Sequence, residues 1–146
     1  LDMSGNTGTQ SLAVTIRVLN EEAISGKEKL KFILKEMRIG LMNGLIIGTL
    51  AFVAVGLYLA FIPGALAAGT PKYYGFEISA CIGISLVAGM LMASLDGTLV
   101  PIFFKKIGID PAVASGPLIT TLNDLIAVCV YYGVSLLLFV QIGLFH

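Results

Sequence analysis

The chain predicts an all-α fold, a polytopic bundle of membrane-spanning helices. Three observations carry that prediction. Of the 146 residues, 57% are hydrophobic and only 12% charged, where a soluble domain carries about 25% charged residues. Mean hydropathy is +0.95. The apolar residues also gather into three runs of membrane length, 39–62, 76–104 and 112–144, and about 20 apolar residues cross the hydrocarbon core. Nine basic and nine acidic residues cancel to a net charge of 0, which is not the basic profile of a nucleic-acid binder. Trp is absent, so anchoring at the membrane interface falls to Tyr and Phe.

The first stretch, 1–19, begins Leu1-Asp2 without an initiator Met. No secretory leader pattern precedes its polar residues. It is too short and too polar at its start for a complete span, so we read the chain as a fragment that begins partway through a membrane helix. Met3-Ser4-Gly5-Asn6-Thr7-Gly8-Thr9-Gln10-Ser11 is dense in small and polar residues. Composition alone favours a solvated loop there, because polar backbone at membrane depth needs protein or water around it. Segment 20–38 holds half of the charged residues, Lys27, Lys29, Lys31, Lys35 and Arg38 with Glu21, Glu22, Glu28 and Glu36. Leu30, Ile33 and Leu34 share one helical face, so a loop and an amphipathic helix at the membrane surface, continuing into the next span, are expected. The interspersed acids argue against a basic binding patch.

Run 39–62 is the first full span. Gly40, Gly44 and Gly48 recur every fourth residue, a small-residue row that lets helices approach closely. Pro63–Tyr74 is a loop with Tyr73 and Tyr74 at the interface. Run 76–104 is the second span, with a small row at Ser85, Gly89, Ala93 and Gly97 and with Asp96 beside it. Gly97 and Pro101 are expected to weaken this helix locally. Cys81 and Cys129 lie in apolar runs without metal-ligand spacing and read as small buried hydrophobes. His146 alone carries no argument.

The third span, 112–144, holds the residue around which the chain is organised. Asp124 sits inside a segment that should be in lipid, where a carboxylate at a helix centre costs about 2.5–3.5 kcal/mol. Such a group faces a bundle interior or a water-filled path. Thr120 lies one turn before it, and Ala127 and Tyr131 continue roughly the same face. Gly116 and Pro117 can bend the helix and free carbonyl oxygens. An acid, hydroxyls and loose carbonyls on one side make a cation site. The plainer reading is an Asp that hydrogen-bonds a neighbouring helix.

Two patterns carry a resemblance. Asp110-Pro111-Ala112, Ser115-Gly116-Pro117, Thr120-Thr121 and Asp124 match D-P-A-x-x-S-G-P-x-x-T-T-x-x-D, and Gly5-Asn6-x-Gly8-x-Gln10-Ser11 matches G-N-x-G-x-Q-S. The Gly97–Pro101 step and Lys105–Pro111 agree as well. The chain resembles the membrane domain of the MgtE-type magnesium channels and transporters. The resemblance reverses the loop reading of the first stretch and implies a pore-lining helix. It implies a Mg²⁺ path between that helix and the Asp124 helix of a symmetric homodimer. Asp124 and Thr120 would contact the metal, Asn6, Thr7, Gln10, Ser11, Gly116 and Asn123 would line the pore, and Asp110 would stand at the cytosolic mouth. An earlier helix and an N-terminal regulatory region would precede this chain. The pattern has no acid at Asp96, for which a structural hydrogen bond to a neighbouring helix is expected.

Orientation follows from Lys and Arg. Arg17 with the 27–38 cations, and Lys105 with Lys106, flank two loops on the same side, with only Lys72 opposite. The positive-inside rule puts the basic loops in the cytosol, leaving the C-terminus outside a plasma or inner membrane. Mg²⁺ wants six oxygens and sheds water reluctantly, so one Asp cannot hold it, whereas two on a dimer axis can. His and Cys clusters that would favour softer metals are missing, although Mn²⁺ and Co²⁺ remain compatible with the oxygen donors. A proton- or sodium-coupled carrier and a structural membrane subunit, each embedded in membrane lipid, stay as alternatives. An enzyme is not expected, because Asp96 and Asp124 lack the G-x-G-D signature of intramembrane aspartyl proteases.

Overall fold

The computed structural model describes residues 2–21, 26–66, 71–114 and 117–142. All regular structure among them is helical: α1 (Asp2–Glu21), α2 (Gly26–Phe61), α3 (Tyr73–Lys106), a 3-10 turn (Pro111–Ala114) and α4 (Pro117–Ile142). Among the described residues three segments are long and apolar enough to cross a membrane, within Gly26–Phe61, Tyr73–Lys106 and Thr120–Leu138. The polar first stretch is therefore helix and not loop. Its hydroxyls are absorbed locally, since Thr7 donates to the Met3 carbonyl at 3.1 Å, Thr9 to Gly5 at 2.9 Å and Thr15 to Ser11 at 2.6 Å. Such back-bonding lets Thr sit inside a helix.

Helix α3 is the centre of the bundle, packed against each of the other three. Its face toward α2 is set by the glycine row. A Cβ on Gly40 would fall 2.5 Å from the Ser94 Cβ, one on Gly44 3.0 Å from the Val87 Cα, and one on Gly48 2.7 Å from the Gly83 carbonyl oxygen. Descending numbers on α3 against ascending ones on α2 make the pair antiparallel. The face toward α1 runs the other way: Ser11 meets Ser94, Leu12 meets Gly97, and Lys105 donates to the Leu19 carbonyl. Helices α1 and α3 are therefore parallel. Against α4 the register is fixed by the Ser85–Ser135 hydroxyl pair at 2.8 Å. The basic residues near the end of α1, at the start of α2 and at the end of α3 consequently stand at one end of the bundle.

The charged stretch and the first span form one helix: α2 is continuous for 36 residues, about 54 Å at 1.5 Å per residue. Its first turns therefore project beyond a hydrocarbon core of about 30 Å. Pro101 does not interrupt α3, which runs on to Lys106 with Pro101 buried inside it. Pro117 does not bend the last helix but opens it, the position where a missing N–H costs nothing. Cys81 is buried as expected, whereas Cys129 is exposed.

The α3–α4 connection is built by its sequence. Gly108 takes φ +78°. Ile109 N–H then bonds the Phe104 carbonyl at 2.9 Å and Gly108 N–H the Lys105 carbonyl at 3.3 Å, the two bonds of a Schellman cap. Asp110 follows as the cap of the 3-10 turn. Its Oδ1 accepts the Ala112 N–H at 2.9 Å and its carbonyl accepts the Val113 N–H at 3.0 Å.

Candidate functional site

The buried face of α1 is small and polar. Ser4, Thr7, Ser11 and Thr15 are all 5% exposed or less, joined by Leu12 and Leu19. Ser94 donates to the Glu36 carbonyl at 2.7 Å, and Ser11 and Ser94 share a 3.0 Å contact. A hydroxyl has one proton, so Ser11 must be the donor to Ser94. This relay ties α1, α3 and α2 together at one level.

The opposite face of α1 is open, and it is polar too. Asn6, Thr9, Gln10, Arg17 and Asn20 are exposed there, with Met3, Ala13 and Val14 between them. A helix this polar on its outer side cannot face lipid, because amide groups at membrane depth require protein or water. On one flank, α1 and α2 touch little and leave two cavities. One of about 280 Å³ is lined by Asn6, Thr7, Gln10 and Asn43 with apolar neighbours. The other, of about 160 Å³, adds Ser11, Lys35 and Glu36 to Thr7, Gln10 and Asn43.

On the other flank stands α4. Asp124 is exposed, and its Oδ1 lies 3.3 Å from where a Cβ on Gly5 would sit. The carboxylate thus borders the open face of α1 through the gap that Gly5 leaves. Thr120 is exposed one turn earlier, whereas Ala127 turns inward and is 1% exposed. Asn123 points the other way, into the bundle, and is also 1% exposed. Its Nδ2 lies 2.1 Å from a Cβ position on Gly8, so only glycine fits there. Both polar atoms of Asn123 lack a partner among the described residues.

Asp96 is level with this group. Gly8 touches both Asn123 and the Ala93–Gly97 turn, and the Ser85–Ser135 pair fixes the same antiparallel register. Asp96 therefore lies opposite the Asn123–Asp124 turn, and not closer to the basic end as counting from Lys105 suggests. The Ile107–Ala114 connection consumes residues without advancing along the bundle axis, which brings Asp124 to only seven residues, about 10 Å, beyond the start of α4. The Oδ2 of Asp96 is buried with no hydrogen-bond partner among the described residues, so the helix-to-helix bond expected for it is not formed by that oxygen.

Asn6 and Gln10 therefore line the α1–α2 flank, and Asp124 stands on the α4 flank beside Gly5, with Thr120 exposed one turn earlier. Thr7 and Ser11 reach the α1–α2 cavities from the buried side, and Ser11 is engaged with Ser94. Asp110 is exposed at the basic end as a cap. Gly116 lies outside the described residues. Sequence reasoning overlooked Asn43 and Glu36. Asn43 could have been found as an amide inside an apolar span; Glu36 was hidden among neighbouring charges. Among the described residues no cluster of three or more His, Cys, Asp or Glu could hold a metal ion.

The family model described as MgtE, divalent cation transporter, matches residues 1–134. The chain is 36% identical over 133 residues to the magnesium transporter MgtE of Bacillus subtilis (strain 168), covering 91% of this chain and 26% of that relative. It is 36% identical over 132 residues to the MgtE of Enterococcus faecalis, covering 90% and 26%. It is 34% identical over 139 residues to that of Thermus thermophilus, covering 94% and 27%. The chain thus spans about a quarter of the length of the curated relatives it matches. With the match running along nearly all of an all-helical, membrane-spanning chain, the chain belongs to the MgtE family of divalent cation transporters.

Proposed function

We propose that this chain forms part of the transmembrane pathway of a Mg²⁺ transporter, with the open face of α1 and the Asp124 edge of α4 as its wall. The observation that carries the reading is the polar outer face of α1 bordered by an exposed intramembrane carboxylate. Neither feature is stable against lipid, and together they suit a hydrated cation. The relatives named as magnesium transporters supply the ion. Mn²⁺ and Co²⁺, which accept the same oxygen donors, are secondary candidates.

One copy offers a single acid at the pathway, too little charge for a dication. A homodimer that sets Asp124 of each copy across a two-fold axis supplies two carboxylates. Retained waters would then bridge the ion to Thr120, Asn6 and Gln10. Mg²⁺ keeps several waters when bound, and a site that holds it through water binds weakly enough to release it, as conduction requires. In this reading Asp110 lies at the cytosolic mouth, the basic end of the bundle faces the cytosol and the C-terminus faces outward. The missing length relative to the curated relatives would include a regulatory part.

The test is Mg²⁺ flux into liposomes loaded with a Mg²⁺-sensitive dye. Asp124→Ala and Asp124→Asn should abolish flux while the protein still inserts. Wild-type flux in Asp124→Ala sinks the proposal, and flux that collapses with a proton or sodium gradient selects a coupled carrier instead.

A further inference from the structure

The outer surface of α2 carries a groove of about 430 Å³ lined by Lys31, Leu34, Lys35, Arg38, Ile39 and Met42, of which Lys35 and Ile39 also border the smaller α1–α2 cavity. We infer that this groove is a binding site for an anionic phospholipid, with the headgroup phosphate on the three cations and an acyl chain along the apolar end.

The helix sorts charges that the sequence intersperses. Lys31, Lys35 and Arg38 fall on one face, spaced at four and three residues. Glu36 is turned away and only 3% exposed, on the side where its carbonyl accepts Ser94. Glu28 precedes Lys31 by a turn and does not line the groove. The cationic lining therefore contains no acid.

Depth fits as well. From Ile39 to Phe61 the helix is uncharged over 23 residues, about 34 Å, against a hydrocarbon core of about 30 Å. Arg38 is therefore at headgroup level and Ile39 at the first acyl carbons. Below Arg38 the face stays apolar and exposed: Ile39 is 40% and Met42 63% exposed, followed by Leu45 and Ile46. Cations at the boundary with an apolar furrow beneath match a phosphate and its tail. A soluble anion would gain nothing from the furrow, and a neutral lipid nothing from the cations. Each cation near an anionic surface strengthens binding several-fold.

The measurement is the motionally restricted fraction of spin-labelled phosphatidylglycerol and phosphatidylcholine around the protein in bilayers. The expected result is about tenfold preference for phosphatidylglycerol at one site per copy. K31Q/K35Q/R38Q should remove it, whereas the charge-matched control K29Q/K72Q/K106Q should keep it. Met42→Trp, which fills the furrow but keeps every charge, should also weaken it. Thermal unfolding in pure phosphatidylcholine checks that the variants fold, and all altered residues except Met42 are surface cations. Equal loss in the control triple would mean a diffuse charge effect and overturn the site. Undiminished preference in K31Q/K35Q/R38Q would overturn it too. Efficient disulfide cross-linking of Met42→Cys between two copies would make this face a protein interface and end the proposal.

Discussion

Two buried glycines on α3 should respond oppositely to the same added methyl group. A Cβ on Gly97 would lie 2.2 Å from the Gly8 carbonyl oxygen, 3.0 Å from its carbon and 3.1 Å from the Leu12 nitrogen. All three atoms are backbone, so no side chain can swing aside. The oxygen is about 1.2 Å inside ordinary van der Waals contact, which begins near 3.4 Å. Helix α1 must therefore move about 1 Å from α3. Overpacking of this kind costs about 1–3 kcal/mol, while replacing a mid-helix glycine by alanine returns about 0.5–1 kcal/mol. Gly97→Ala should thus be destabilised by up to about 2 kcal/mol. Gly89 is equally buried, but a Cβ there meets nothing within 4 Å, so Gly89→Ala keeps only the propensity gain and should be neutral or slightly stabilised. Equilibrium unfolding in mixed micelles measures both. Because the displaced helix carries Asn6 and Gln10, Mg²⁺ flux should fall with Gly97→Ala and stay near wild type with Gly89→Ala. If the two variants are equally stable, the α1–α3 packing described above is wrong.

The hydroxyl relay and the buried acid offer further checks. Ser11→Ala and Ser94→Ala should show a favourable coupling of about 0.6 kcal/mol in a double-mutant cycle, the usual size for a hydrogen bond between membrane helices; no coupling would mean that the two hydroxyls do not bond. Asp96→Asn should retain most Mg²⁺ transport, because an amide at the Asn123 level can still accept and donate. Asp96→Leu should lose folded protein; an Asp96→Asn protein that inserts normally yet loses Mg²⁺ selectivity would instead put Asp96 in the ion path.

What the sequence made legible was what depends on hydrophobic runs and local motifs. The three apolar spans, the glycine row at Gly40, Gly44 and Gly48, and Asp124 as an acid in an apolar helix are all visible without coordinates. What stayed hidden depends on register between helices. The Gly5-Asn6-x-Gly8 pattern gives no sign that its glycines accommodate Asp124 and Asn123, because those contacts join residues more than 110 positions apart. The depth of Asp96 relative to Asp124 stays hidden for the same reason, since counting residues cannot see that the Gly108 cap and the 3-10 turn interrupt the path from α3 to α4. Pro101 and Pro117 look alike in sequence, yet one is absorbed inside α3 and the other starts α4. The identity of the open face of α1 required knowing which side α3 covers.

That open face is the central claim, and cysteine accessibility tests it most directly. In an otherwise cysteine-free protein (Cys81→Ala, Cys129→Ala), single cysteines replace Asn6, Gln10, Ser4 and Thr15 in turn, and a membrane-impermeant methanethiosulfonate reagent is added during Mg²⁺ flux. The account predicts that Asn6→Cys and Gln10→Cys are modified, that modification blocks flux, and that high Mg²⁺ slows the reaction. Ser4→Cys and Thr15→Cys, buried against α3, should stay unreacted. Modification of Ser4 and Thr15 with Asn6 and Gln10 protected would contradict it, because the water-filled path would then run along the face assigned to packing.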